Sequence, residues 1–215
     1  MAQKTKILLI RHGFSLSNAM RTFTGQTDVG LSETGFEQAK RVSEFVLKNY
    51  KIDEVYSSDL SRAVDTVKAI AEQIGKEVIK EKAFREIYGG EWEGKTPEEI
   101  ERDHKQDYVA WKKDMSFARC TGGENGIELL ERSYKRLVEI SEKEKGKTIV
   151  IATHAGVIRA LECRIRGLKD SEMKEVPWVT NASVTEVFFE NGKFIEGKVS
   201  QDHFLSDLIT ELKAF

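Results

Sequence analysis

The chain has 215 residues, with 34 basic and 36 acidic side chains and a formal net charge of −2. This balance argues against a general affinity for nucleic acid or for an anionic membrane surface, so any anion site must be a local cluster of positive charge. The length suits one domain that carries an insertion, and a hydrophobic fraction of 40% is ordinary for a globular protein with a sizeable core.

The sequence carries no pattern that indicates export, membrane insertion or metal binding. A strand is expected within six residues of the amino terminus, where a signal peptide would need an apolar helix, and no apolar run reaches membrane-spanning length. The two cysteines, Cys120 and Cys163, are expected to be reduced thiols, although a disulfide between them is open. No cysteine or histidine spacing suits a metal site. We therefore predict a cytoplasmic protein without a bound metal.

The first part of the chain alternates between strand and helix patterns. Ile7–Ile10 is an unbroken apolar run with the length of a buried strand, and Ser32 is a predicted N-cap. The predicted order is a strand at 6–10, a helical turn within 14–21, a helix at 33–48, a strand at 54–57, a helix at 60–74 and a strand at 77–80. This alternation favours a three-layer α/β/α sandwich with a mostly parallel central sheet.

Residues 88–124 are rich in charge and aromatic side chains and lack strand patterns. Thr96, Pro97 and Glu99 are typical of a helix start. We predict a helical insertion at about 88–124 that covers the strand ends as a lid, within a single domain spanning 1–215. Its larger aromatic residues are expected to pack over the sheet edge: Trp92, Tyr108 and Trp111.

The last part of the chain contains the clearest strand pattern. The predicted order is a helix at 127–145, a strand at 148–153, a helix at 157–165, a hairpin within 182–199 and a peripheral helix at Leu205–Leu212. The hairpin is indicated by alternating apolar residues on both sides of Asn191 and Gly192.

Two predicted strands end in a histidine that is followed by glycine. Arg11-His12-Gly13 follows the first strand, and His154-Ala155-Gly156 follows the strand at 148–153. Arg62 lies in the first turn of the helix after another strand, where the backbone favours anions. Each residue alone is explained equally well as structural, but parallel strands end at one sheet edge, where ligands bind. Two imidazoles and two guanidinium groups gathered there would suit a phosphoryl group.

Several motifs in order resemble the signature of the histidine phosphatase superfamily, also called the phosphoglycerate mutase-like family. The first is Arg11-His12-Gly13, with Ser15 and Asn18 behind it. The others follow in the family's order: Thr24-Gly25, Ser57–Ala63, Arg85–Gly94, Gly122–Glu124 and Thr153–Gly156. The resemblance spans roughly residues 6–190, nearly the whole chain.

The resemblance implies a two-step phosphoryl transfer that needs no cofactor. His12 would attack phosphorus and become a phosphohistidine, while Arg11, Arg62 and His154 hold the transferring oxygens. For His12 to attack as a free base, its other ring nitrogen needs an acceptor such as a backbone carbonyl. Glu86 would protonate the departing oxygen and later deprotonate water. Further implied phosphate or substrate contacts are Asn18, Thr24, Gly25, Ala155 and Gly156.

Glu91 and Glu93 are rivals for the acid. The resemblance favours Glu86, because the family's acid aligns with it, just before the turn into Tyr88-Gly89-Gly90.

The motifs also bear on what accepts the phosphoryl group. The family's mutases carry an Asn-Lys pair after the acid and an Arg pair further along, whereas Tyr88–Thr96 lacks the first and Ser116–Cys120 contains only Arg119. The chain resembles the phosphatase branches, including broad-specificity and α-ribazole phosphatases. We predict hydrolysis of a small-molecule phosphomonoester; the alternatives are a phosphoglycerate mutase and a non-catalytic phosphate-ligand binder.

Phe14 departs from the family, which commonly has Glu or Gln after Arg-His-Gly. It either favours a substrate with an apolar or planar portion or serves in packing. The sequence leaves the oligomeric state open, with a homodimer as one option.

Overall fold

The computed structural model describes residues 4–210. Its six strands form one sheet in the order β3-β2-β4-β1-β5-β6. β1 to β4 run parallel, and β5 and β6 add an antiparallel edge. The strands are β1 Thr5–Arg11, β2 Glu54–Ser57, β3 Ile79–Lys80, β4 Thr148–Thr153, β5 Val184–Glu190 and β6 Lys193–Glu196. The helices are α1 Leu16–Met20, α2 Glu33–Asn49, α3 Ser61–Gln73, α4 Pro97–Asp103, α5 Lys105–Lys113, α6 Gly126–Lys143 and α7 Ala155–Ile165.

Helices cover both faces of the sheet because successive strand side chains point to opposite faces. In β1, Leu8 and Ile10 join a core with the buried sides of α2 and α3. Ile7 and Leu9 join a larger core with α6 and α7 on the other face. The predicted three-layer α/β/α sandwich with a mostly parallel sheet is confirmed.

The segment 88–124 contains α4, α5 and a 3₁₀ turn at Gly90–Trp92, and it is anchored by aromatic packing. Trp92 lies edge-on to Tyr108 and Trp111, with ring centroids 5.7 and 5.9 Å apart. All three side chains are buried in the larger core. That this segment moves as a lid stays a prediction.

The predicted peripheral helix at Leu205–Leu212 is wrong over the residues that the structure describes. His203–Leu208 forms 3₁₀ turns that are interrupted at Ser206, and Leu205 is fully buried. The physical reason is that side chains of α2 take carbonyl oxygens that a helix would use: Arg41 donates to Leu205 at 2.7 Å and Gln38 to Leu208 at 2.8 Å. Residues 211 and 212 of the predicted helix lie outside the described residues.

Two smaller features bear on the sequence predictions. Cys120 and Cys163 are both free and buried. Between residues 4 and 210, none of the helices combines the length and the apolar character needed to cross a bilayer.

The register between the two central strands brings their carboxyl ends together. Arg11 in β1 pairs with Thr153 in β4, and the next amide, of His12, donates to the Thr153 carbonyl at 2.9 Å. His12 and His154 therefore start from adjacent points on one sheet edge.

Candidate active site

His12 follows β1 directly, and its side chain is 6% exposed. Nδ1 lies 2.7 Å from the carbonyl oxygen of Gly13. Because a carbonyl only accepts, Nδ1 must carry the proton, which leaves the lone pair on Nε2. This is the backbone acceptor that the sequence analysis required of a nucleophilic His12.

The turn after His12 packs closely against α2 and α3. A Cβ on Gly13 would lie 2.7 Å from the carbonyl oxygen of Gly35 in α2, so only glycine fits there. The Gly13 amide donates to Thr66 Oγ1 of α3 at 2.9 Å, and the Phe14 amide donates to Gln38 of α2 at 2.7 Å. These contacts fix the backbone that carries the imidazole of His12.

Arg11 and Arg62 place two buried guanidinium groups beside His12. Arg11 Nη1 donates to the Val179 carbonyl at 2.6 Å, while Arg62 donates to the carbonyls of Thr27 at 2.9 Å and Gly25 at 2.8 Å. These acceptors are neutral, so neither arginine is offset by an ion pair within 4 Å among the described residues. Burial lowers the pKa of Arg11 to about 10, opposed by Glu86, and burial also lowers the pKa of Arg62.

His154 follows β4, and its ring centroid lies 5.2 Å from that of His12. Its Nε2 is 2.9 Å from Ser58 Oγ, which already accepts from the Leu60 amide at 3.4 Å. The Ser58 hydroxyl can donate to Nε2 while it accepts from Leu60, and a neutral His154 in that arrangement carries its proton on Nδ1.

Burial is the largest cause that lowers the pKa of both histidines, and the positive charge of Arg62 is the second. Both pKa values lie well below 6.5, so both rings are neutral at neutral pH. Three buried nitrogens of this group have no hydrogen-bond partner within the described part of the chain: Arg11 Nε, Arg62 Nε and His154 Nδ1.

The charge of Glu86 acts on these cations and opposes the burial that lowers the pKa of Arg11 and of Arg62. Its Oε2 accepts from the Gly156 amide at 3.1 Å and its Oε1 from the Ile87 amide at 2.9 Å. A Cβ on Gly156 would lie 2.4 Å from Glu86 Oε1, so glycine is what admits this carboxylate. Glu86 lines the same cleft as His12.

The rival carboxylates are placed differently. Glu93 accepts from the amides of Gln26 at 2.7 Å and Gly89 at 3.0 Å and from the Thr27 hydroxyl at 2.5 Å, so it links two loops. The Glu91 side chain is 64% exposed, with His104 at 3.9 Å. Neither carboxylate lines the cleft.

The remaining predicted contact residues line the cleft as well: Asn18, Thr24, Gly25, Ala155 and Gly156. Asn18 Oδ1 accepts from the Ser15 amide at 3.0 Å and closes a reciprocal cap at the start of α1. Ala155 and Gly156 form the first turn of α7, which begins two residues earlier than predicted, with His154 as its N-cap.

The cleft has a volume of about 360 Å³. Outside the group of histidines and arginines its walls are mostly apolar: Phe14, Phe23, Ile87, Pro97, Trp111, Met115 and Trp178. Arg21 is the one further cation of the lining; it is exposed and has a left-handed backbone with φ of 56°. Phe14 lines the cleft, and its backbone amide is bound by Gln38 of α2.

Sequence reasoning missed several residues that support the site. Asn181 donates to the His12 carbonyl at 3.0 Å and to Asn18 at 3.3 Å. Arg132, in α6, donates to main-chain carbonyls around Glu86. Neither lies in a motif that points to a site; Ser58 does, but only the fold shows that it meets His154. Among residues 4–210, no group of three or more His, Cys, Asp or Glu side chains is arranged to hold a metal ion.

The profile of the histidine phosphatase superfamily (branch 1) matches residues 7–201. Phosphoglycerate mutase-like protein 4 of Arabidopsis thaliana is 36% identical over 83% of this chain and 77% of its own length. The metal-independent phosphoserine phosphatase of the same plant is 32% identical over 96% of this chain and 86% of its own length. A mycobacterial glucosyl-3-phosphoglycerate phosphatase solved with VO₃ has a TM-score of 0.83 at 28% identity, covering 92% of this chain and 99% of its own.

A fold with its site at the ends of parallel strands, two neutral histidines and two unpaired guanidinium groups defines a phosphoryl-transfer enzyme. The chain belongs to the histidine phosphatase superfamily, as its motifs predicted. Within that superfamily it is a phosphatase, in keeping with its phosphatase relatives.

Proposed function

We propose that the protein hydrolyses a small-molecule phosphomonoester through a phosphohistidine on His12, without a metal or cofactor. The observation that carries this is the hydrogen bond from His12 Nδ1 to the Gly13 carbonyl, because it leaves Nε2 as a free base within the influence of two buried arginines. A histidine held in this way on a rigid backbone needs no further activation to act as a nucleophile.

In the first step, His12 Nε2 forms a bond to phosphorus as the bond from phosphorus to the leaving oxygen breaks. Arg11, Arg62 and His154 hold the three equatorial oxygens, and Glu86 donates a proton to the leaving alcohol. In the second step, Glu86 takes a proton from water, which attacks phosphorus and releases inorganic phosphate and free His12. The unpaired buried nitrogens of Arg11, Arg62 and His154 support this use of the site.

The placement of the carboxylates supports Glu86 as the acid. Glu86 shares the cleft with His12, whereas Glu93 is held by three donors in a loop contact and Glu91 faces solvent. A general acid must reach the leaving oxygen, so geometry ranks Glu86 first.

The outer cleft supports a leaving group that combines an uncharged or apolar body with an anionic group. Its walls are mostly aromatic and aliphatic, with the polar residues Asn18, Thr24 and Asn181 and the cation Arg21 among them. The Arg21 side chain makes no ion pair or hydrogen bond within residues 4–210. The pKa of Glu98 is lowered chiefly by hydrogen bonds from its own amide and from Thr96, and the charge of Arg21 makes the smallest contribution. Two relatives are named for phosphoserine and glucosyl-3-phosphoglycerate, which both carry a carboxylate.

A panel of phosphorylated metabolites, ranked by kcat/KM, tests the substrate class. The panel pairs acids such as phosphoserine and 3-phosphoglycerate with neutral or cationic analogues such as phosphoethanolamine and glycerol 3-phosphate. We expect the acids to rank higher, and Arg21→Gln to remove their advantage. Equal values for both sets in the wild-type protein would contradict a role for Arg21.

Phosphate release in a single turnover with 4-nitrophenyl phosphate separates an enzyme from a binder, because a non-catalytic binder would release none. Isomerisation of 3-phosphoglycerate with added 2,3-bisphosphoglycerate tests the mutase alternative. A relative from Schizosaccharomyces pombe is named phosphoglycerate mutase. Isomerisation well above hydrolysis would overturn the proposal.

A further inference from the structure

We infer that Arg132 and Glu124 form a clasp that positions the general acid Glu86, so that Arg132 acts on leaving-group protonation without touching the substrate. This inference rests on the proposed function, since it assigns Arg132 to the acid named there. Arg132 belongs to α6 and does not line the cleft. It is therefore a positioning residue.

All five N–H groups of Arg132 are engaged around the segment that carries Glu86. Nη1 donates to the carbonyls of Ala83 at 2.8 Å and Arg85 at 2.7 Å, and Nη2 donates to the carbonyl of Glu86 itself at 2.8 Å. The remaining two N–H groups bind both oxygens of Glu124 at 2.9 Å. A planar guanidinium makes such a fork, whereas a lysine ammonium has only three donors.

Glu124 extends the clasp to the other side of the acid. Its Oε2 accepts from the Tyr88 amide at 2.9 Å, and its own amide donates to the Tyr88 carbonyl at 2.8 Å. The pair thus holds the main chain before, at and after Glu86. Both side chains are largely shielded from water, at 22% and 20% exposed, which strengthens a charge-assisted network.

The backbone position of Glu86 determines where its carboxylate lies. Oε1 is bound to the amide of the next residue, Ile87, so a shift of the main chain moves the carboxylate with it. The other contact of the Glu86 carbonyl is Gln26 Nε2 at 3.2 Å. A displacement of about 1 Å at a catalytic group can cost on the order of 100-fold in rate.

Arg136 offers a matched control, one helical turn along α6. It also forms a two-pronged pair with a carboxylate, donating to Glu81 at 2.6 and 3.1 Å, and it is 32% exposed. It makes no hydrogen bond to the main chain around Glu86 among those of the described residues. Removing it takes away a comparable ion pair but leaves the clasp intact.

The test compares two probes of similar size, 4-nitrophenyl phosphate, whose leaving group needs no proton, and benzyl phosphate, whose leaving group does. We define the leaving-group ratio as kcat/KM for the first divided by kcat/KM for the second. The variants are Arg132→Met, Arg132→Lys, Glu124→Gln, Glu86→Gln and Arg136→Met, each with a thermal unfolding curve. Arg132→Lys keeps a positive charge near His154 but loses the hydrogen bonds of the guanidinium, so it distinguishes an effect of the lost charge from an effect of the lost positioning. Glu124→Gln provides a further variant of the clasp if Arg132→Met is unstable.

We expect Glu86→Gln to raise the leaving-group ratio on the order of 100-fold and all three clasp variants to raise it on the order of 10-fold or more. Arg136→Met should leave the ratio within about twofold of wild type, as a surface pair does. Adding Arg132→Met to Glu86→Gln should raise the ratio no further, because two residues that act through one step are not additive.

The outcomes separate the two proposals. If Glu86→Gln raises the ratio but the clasp variants do not, the clasp is wrong and the proposed acid stands. If Glu86→Gln leaves the ratio unchanged, the assignment of the acid fails. If Arg132→Met raises the ratio by the same factor with or without Glu86, Arg132 does not act through the acid and the inference is overturned.

Discussion

His12 and His154 are two imidazoles kept neutral by their surroundings. Burial disfavours the protonated form of each ring, and the nearby guanidinium charges disfavour it further. In the proposed mechanism the neutral rings serve opposite purposes: His12 needs a free lone pair for attack, while His154 would offer an N–H to the phosphoryl oxygens. The two arginines that are proposed to bind the anion therefore also lower the pKa of the proposed nucleophile.

This neutrality makes stability depend on pH. In the unfolded chain both histidines titrate near 6.5, whereas in the folded protein both pKa values are well below that. As the pH falls below about 6.5 the unfolded state takes up protons first, so the free energy of unfolding decreases by up to about 1.4 kcal/mol per pH unit for each histidine. Urea unfolding of the wild-type protein between pH 7.5 and 5 measures this slope.

The histidine variants give the comparison. His12→Gln and His154→Gln should each have a flatter dependence of unfolding free energy on pH than wild type. A slope that neither substitution changes would contradict the lowered pKa values.

The absence of a side chain at Gly156 leaves room for the carboxylate of Glu86. In Gly156→Ala the new Cβ would meet Glu86 Oε1 at 2.4 Å, and the flexible carboxylate would move rather than the fold. We expect the free energy of unfolding to change by less than about 1 kcal/mol, because alanine is favoured over glycine in a helix. We expect kcat/KM for benzyl phosphate to fall on the order of 10-fold or more.

Gly30→Ala is the control, since a Cβ there meets nothing within 4 Å. Full activity of Gly156→Ala toward benzyl phosphate would contradict the importance of the contact between Glu86 and the start of α7.

Between the elements, Glu93 joins the loop at 24–27 to the turn at Gly89. The carbonyls of Gly25 and Thr27 in that loop are the acceptors that hold Arg62. Glu93 thus holds the loop whose carbonyls bind Arg62. This structural role accounts for a carboxylate close to Glu86 without requiring that Glu93 act as the acid.

Glu93→Gln is therefore expected to act on phosphate binding. It should raise KM for both 4-nitrophenyl phosphate and benzyl phosphate by a similar factor of about 3 to 10, because glutamine has one acceptor oxygen and lacks the charge that strengthens these hydrogen bonds. Glu91→Gln should leave kinetics within about twofold of wild type, because its side chain is exposed. A selective loss with benzyl phosphate in either variant would transfer the role of the acid to that residue.

Elements were predictable where local pattern and burial agree. β4 is bounded as expected at 148–153 because an apolar run buried on both faces can only be a central strand. The turns at His203–Leu208 could not be predicted from the local pattern. The carbonyl oxygens of these turns accept hydrogen bonds from Gln38 and Arg41 of α2, which lie 164 or more residues away in the sequence. Such long-range contacts leave no local pattern.

The same limit applies to the site. His12, His154 and Arg62 were predictable because each follows a strand end of a parallel sheet, and the fold brings such ends together. Arg132 and Asn181 were not, since they act through main-chain carbonyls, which any sequence supplies.

At the scale of the whole molecule, a slightly acidic chain concentrates buried positive charge at one cleft. In the proposed mechanism those guanidinium groups neutralise the charge of the phosphoryl group without a metal ion. Activity toward 4-nitrophenyl phosphate should therefore be unchanged by prolonged dialysis against EDTA. Loss of activity that Mg²⁺ or Zn²⁺ restores would contradict this account.

Several predictions about the whole chain stay predictions: a single domain over 1–215, a cytoplasmic location, no binding to nucleic acid and a homodimer as one option. The comparisons support the catalytic fold over 7–201 and leave these properties open to measurement.

The most direct measurement traps the phosphoenzyme. Wild-type protein mixed with 4-nitrophenyl phosphate, quenched within one turnover in alkali and digested, should yield a peptide with an acid-labile phosphoryl group on His12, and His12→Ala should yield none. A phosphorylated residue other than His12, or an adduct that persists in His12→Ala, would contradict the account.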